Sequence, residues 1–208
     1  MSKKYLKGFS GFGFHEVENN TQDKYSVKGE RVKIPSAKSC SPSDNRTDFK
    51  IYADDGVWDS GSELTDTTNE ITFTELDLET LAKLTGATVN EDGSIDESSL
   101  DVAPELALTY RALRADGGYR LYKYYSAKVT KVTVNHTTKG ENNDAQSYTV
   151  TFSCTPRKCD NKIRSTKDID KDAPQDWLDT IDSVPSEAAA NVEPTGNDPA
   201  TNDEGTEE

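Results

Sequence analysis

The sequence predicts a mainly β protein: an antiparallel β-sandwich or half-barrel with one short flanking α-helix, followed by a disordered acidic C-terminal tail. Apolar and polar residues alternate in at least six separate segments, the period of half-buried strands. Only one segment, Asn69 to Gly86, changes from that period to a helical one between good capping residues. The charge is also uneven. Residues 168–208 hold thirteen acidic residues and one lysine, a net of −12 within a chain total of −14. This divides the chain into a β domain at residues 1–167 and an acidic tail at 168–208.

Taken in order, residues 5–17 place Gly8, Gly11 and Gly13 among aromatics. The glycine spacing suggests a phosphate cradle, but no strand precedes it and no helix follows, so an N-terminal arm or edge strand is expected. Lys24 to Ile34 alternates around Lys28-Gly29-Glu30, giving two short strands or one bulged strand. Residues 35–48 are rich in Ser, Pro, Asp and Asn and are expected to form a loop. Asp54-Asp55-Gly56, between Phe49–Ala53 and Val57-Trp58, signals a compact hairpin, with another polar connection from Ser60 to Asn69.

Ile71 and Phe73 then alternate with threonines before Leu78, Leu81, Ala82 and Thr85 mark one face of a helix at about residues 77–85. Asp77 suits the N-cap, Glu79 the first turn and Gly86 the left-handed C-cap. So short a helix must pack on something larger. Glu91-Asp92-Gly93-Ser94 is read as a solvated turn, because an EF-hand loop would need a closing Glu where Ser99 stands.

Leu106, Leu108 and Tyr110 alternate, and Asp116-Gly117-Gly118 turns into Tyr119–Val134, the longest strand signal in the chain. Val132 and Val134 are expected to pair with Tyr148–Cys154 across a polar loop, and Pro156 to close that last strand. The tyrosines at 119, 122, 124 and 125 could serve as a stacking platform for single-stranded nucleic acid. With no basic excess, cross-strand packing is the expected role. Beyond Asp168, Trp177-Leu178 with Ile181 and Val184 suggest one docking turn. Residues 185–208 lack the apolar surface to offset their ordering entropy.

The composition bounds the function. Net charge −14 disfavours clamping nucleic acid or anionic membrane, and no stretch approaches the roughly 18 apolar residues of a membrane span. A hydrophobic content of 32% implies a thin core that partners help to stabilise. Cys40, Cys154 and Cys159 are odd in number with no apolar leader ahead of them, so the chain is expected to be made in a cytosol and to remain soluble. His15 and His136 have no second ligand at metal spacing, and no nucleophile, Walker or zincin motif is present. Neither an enzyme nor a cofactor or metal site is expected.

The ordered set Val32–Ala37, Ile51–Gly56, Ile71–Gly86, Asn90–Asp96, Pro104–Leu108 and Tyr119–Tyr125 resembles the major tail protein family of long-tailed bacteriophages, over about residues 5–157. The resemblance implies a structural virion protein, synthesised in the host cytoplasm. Six copies would form a ring whose inner sheets join into a barrel. Rings would stack into a tail tube around the tape-measure protein, with terminator and tip proteins at its ends, and DNA would pass through the lumen without specific binding. The tail replaces the immunoglobulin-like module that some relatives carry. Ring contacts are expected from edge strands, and contacts between rings from two projecting segments. These are the Asp54-Asp55-Gly56 hairpin with its following loop, carrying Trp58, and the arm around Phe12. The competing class is a non-polymerising β-sandwich binding module.

Overall fold

The computed structural model describes residues 5–136 and 146–184. It is mainly β, with 60% of the described residues in strands and 6% in helix. The strands are β1 (Leu6–Asn20), β2 (Tyr25–Lys33), β3 (Ala37–Ala53), β4 (Gly56–Phe73), β5 (Thr88–Val89), β6 (Ile95–Asp96), β7 (Leu106–Arg114), β8 (Tyr119–Val134), β9 (Tyr148–Thr155) and β10 (Arg164–Ile169), with α1 (Leu78–Thr85) between β4 and β5. The main sheet runs β2-β1-β7-β8-β9-β4-β3, every pair antiparallel, and β5 and β6 form a small separate ribbon.

The long β8 makes the sheet curl. Its first half pairs with β7 on one side and with β10 on the other, and beyond Ser126 it pairs with β9. The two halves fold toward each other over a shared core. Phe12 of β1 meets Phe73 of β4 at 5.5 Å between ring centroids and Phe152 of β9 at 6.2 Å. The mainly β, antiparallel architecture expected from strand alternation is therefore observed.

At the end of β4 the helix closes this core. The Asp77 carboxylate accepts hydrogen bonds from the Thr80 backbone N–H at 2.6 Å and its hydroxyl at 2.8 Å. Gly86 ends the helix at φ +82°, donating to the Ala82 carbonyl, and a Cβ there would collide with the Val102 carbonyl. The buried face is Leu81, Ala82 and Leu84. Leu78, expected on that face, is half exposed, and Thr80 is buried in the same turn instead.

Four further expectations change. Residues 35–48 and 60–69 are not connections but lie almost wholly in β3 and β4, which pair continuously from Ala37↔Phe73 to Ala53↔Gly56. The N-terminal glycine-rich segment is an interior strand, because β1 is flanked by β2 and β7. The boundary at 167/168 falls inside β10, whose Ile169 is buried. Residues 185–208, expected to be disordered, and most of the loop 135–144 lie outside the described residues.

Residues 170–184 continue the body as a strap. Leu178 and Ile181 are buried, and Val184 exchanges backbone hydrogen bonds with Tyr25 at the start of β2. The strap lies over a cationic face. The Lys123 ammonium sits 4.0 Å from the centre of the Trp177 ring and 3.6 Å from the Asp182 carboxylate, and Asp179 pairs with Arg31 and Lys33. Burial lowers the Lys123 pKa from its ordinary value, and Asp182 opposes that shift. His15 is buried nearby, its pKa lowered by desolvation and by Arg31, so the imidazole is neutral at pH 7.

Two stability predictions follow from these contacts. Asp77→Ala should cost about 1 kcal/mol at neutral pH. Because the Thr80 backbone hydrogen bond holds the Asp77 carboxyl below its ordinary value, the contribution is present above the usual aspartate range and is lost as pH falls through the folded-state value. Urea melts of the two proteins should therefore converge in acid, and a gap that persists there would contradict the assignment. In the strap, Asp182→Ala should cost about 1–3 kcal/mol by leaving a buried ammonium without its counter-charge, while Lys123→Met should be neutral or stabilising. Equal losses from the two changes would mean that packing, not charge, holds the strap.

Candidate self-assembly surfaces

From its root in the body, β4 pairs with both β3 and β9; the last pair with β9 is Thr67↔Cys154. Beyond it, β3 and β4 have only each other, and residues 41–60 are all exposed. About nine residue pairs at roughly 3.3 Å each make a two-stranded ribbon that reaches some 30 Å from the sheet.

Local chemistry shapes this ribbon. Asp54 and Asp55 both have positive φ, +47° and +62°, the geometry of the two-residue turn that matches the twist of paired strands. Aspartate tolerates that region better than most residues. Phe49 lies across from Gly61, where a Cβ would come 2.5 Å from its ring, so the glycine makes room for the aromatic cover. Pro42 sits in β3, an outer strand that can do without one ladder donor. At the root, Arg164 of β10 grips Asp44 through two hydrogen bonds of 2.7 and 2.9 Å, and Thr67 donates to the same carboxylate. Burial alone would raise the Asp44 pKa; these bonds outweigh it and the net shift is down.

The tip is apolar. Trp58 is 74% exposed and Tyr52 68%, with Ile51, Val57 and Phe49 beside them. Of the residues expected to mediate assembly, Asp54, Asp55, Gly56 and Trp58 lie together at this tip. Phe12 does not: its ring is 1% exposed in the subunit's own core, because β1 is an interior strand whose inward face is needed there. Tyr52 and Ile51 carry the same signal as Trp58 but were overlooked among ordinary strand residues.

The sheet also ends in two open edges among the described residues. β2 pairs only with β1 along Ser26–Lys33, and β3 pairs only with β4. Lys28, Glu30 and Lys33 on β2 and the charged run on β3 discourage indiscriminate pairing and leave it to a selective partner.

The other candidate chemistries resolve into packing. Tyr110 stacks on Tyr122 at 4.8 Å and on Tyr124 at 6.1 Å, and Tyr124 and Tyr125 are buried, so the tyrosines of β8 pack across strands. In the 90–96 turn, Asp92 accepts from Ser94, and Asn90 bonds Ser94 and Asp96. Among the described residues, no three His, Cys, Asp or Glu side chains converge for a metal. Burial pushes the Cys154 thiol up to about 12 and Cys40 to about 11, the reverse of an activated nucleophile.

No protein-family model matches the chain, and no curated protein matches it. Solved structures overlap it weakly. A chain of the anti-feeding prophage cap, described as a tube-terminating cap, covers 81% of this chain and 95% of its own length at 10% identity and a TM-score of 0.46. A chain of the sheath-tube complex of an extracellular contractile injection system covers 79% and 93% at 11% identity and a TM-score of 0.45. A chain of the anti-feeding prophage baseplate covers 83% and 100% at 6% identity and 0.43. At TM-scores below one half these likenesses carry no argument about function.

Because the tip touches nothing in its own subunit, Trp58→Ser should change the unfolding free energy by no more than about 0.5 kcal/mol. A larger loss in chemical melts of dilute protein would place Trp58 in the subunit's own packing.

Proposed function

We propose that this chain is a structural subunit that polymerises with copies of itself into a tail tube, six copies closing each ring and rings stacking end on end. The observation that carries the reading is the exposed ribbon with its apolar tip. An isolated two-stranded ribbon is marginal in water, and a monomer has no use for five large apolar side chains on the outer half of a ribbon that reaches some 30 Å from the sheet. Contact with the next ring would bury them. The open edges of β2 and β3 are the candidates for joining neighbours within a ring, where backbone pairing continues the sheet. The sequence resemblance over residues 5–157 supports the same assembly and implies its partners: a tape-measure protein inside, terminator and tip proteins at the ends, and DNA passing through without specific contacts. The site of action is then the virion tail, and the role is architectural, with no catalysis.

The test must cut both arms of the ribbon, since residues 59–66 form one strand of it and shortening them alone would break the register. Replacing residues 49–61 with Asn-Gly should leave the melting behaviour of the body intact. Negative-stain images of concentrated wild-type protein should then show rings and tubes, and the shortened variant should show none. Wild-type protein that stays monomeric at high concentration would instead favour a non-polymerising binding module. Full-length tubes from the shortened variant would remove the ribbon from the stacking contact.

A further inference from the structure

Nine of the eleven exposed large apolar side chains among the described residues fall in two sets, one on the ribbon tip and a second, Leu78, Val89, Leu100 and Val102, in and after α1 along the chain. In the second, Leu100 is 86% exposed and Val102 78%, with Val89 and Leu78 near half. Of this set, Val102 lines a groove of about 430 Å³. Its floor holds the buried residues Phe14, Ala82 and Leu106, and its rim carries Val102, Lys28 and Lys83. Gly86 fixes that rim, because its missing Cβ lets the Val102 backbone lie directly on the helix end.

The two sets lie at opposite ends of one strand. β4 runs from the tip at Gly56 to Phe73, and α1 begins a few residues later. Eighteen residues of extended chain separate them by roughly 60 Å of contour. A surface at one end that complements a surface at the other allows a head-to-tail contact, which can repeat from copy to copy along a line.

We infer that the groove beside α1 receives the ribbon tip of a second copy of this chain, with Trp58 and Tyr52 entering over Phe14 and Leu106. The groove lies within the size range that takes large apolar groups. Charge agrees as well: Asp54 and Asp55 at the turn would meet Lys28 and also Lys83, which already pairs with Glu79, while Lys50, behind the turn, would face Glu16 and Glu30 on the same rim. The inference rests on the ribbon being a contact between copies and adds the surface that receives it.

Two single variants, Tyr52→Cys and Val102→Cys, test it when purified separately, mixed, concentrated and oxidised. Both positions are exposed, so folding is spared. Mass spectrometry should find a peptide disulfide joining positions 52 and 102 at least about tenfold above that from Tyr52→Cys mixed with Asp172→Cys on the strap. In the mixture such a link can form only between copies. If particles assemble and this link is no more abundant than the control, the ribbon docks elsewhere; the groove is then ruled out while the tube reading stands. If the link forms in small soluble complexes without tubes, the groove is supported and the tube reading fails. If neither particles nor link form, both fail.

Discussion

The ladder between β3 and β4 is the constraint on which the rest depends. Within the body, β4 is held on both sides, by β9 and by β3, and its inward residues Ile71 and Phe73 are fully buried. Past Thr67, toward the turn, β9 stops while β3 continues. The same strand is therefore core at one end and bare ribbon at the other, and the Arg164 grip on Asp44 marks the point of change. A rigid root is what allows the tip to be presented at a defined distance and angle.

Charge does at the opposite face what apolar burial does in the core. The strap brings Asp179 and Asp182 to Arg31, Lys33 and Lys123, and Trp177 shields the buried ammonium. Nearby, Arg157 stacks on Tyr125 at 4.1 Å and is held by Asp160. A core this short of aliphatic side chains relies on such cation and aromatic contacts to close its second layer.

Much of the fold was legible because burial on one face imposes alternation. Asp77 and Gly86 place the helix within a residue, and the expected pairing of Val132 and Val134 with Tyr148–Cys154 is the observed β8–β9 ladder, in which Val132 lies opposite Val150 and Val134 opposite Tyr148. Of the ribbon, the outer hairpin of Phe49–Ala53 and Val57-Trp58 was legible and the rest was not, for a physical reason. A strand exposed on both faces needs no apolar alternation, so Ser39 to Asp48 and Asp59 to Thr68 look like loops although they pair throughout. β10 was missed likewise, since of its six residues only Ile169 is buried. The exposed turn was legible in Asp54-Asp55-Gly56 and Trp58. Phe12 misled because an aromatic among glycines resembles a mobile arm, whereas the glycines permit close packing of β1 against Arg31 and Arg111.

The central claim is that the ribbon is completed by another copy, and amide hydrogen exchange reads this most directly. In dilute protein the amides of residues 46–60 should exchange rapidly, since no third strand or core holds them, while those of β1 and β7 exchange slowly. At concentrations where particles form, the ribbon amides should become protected while β1 and β7 are unchanged. Particles in which residues 46–60 exchange as fast as in the monomer would contradict the account.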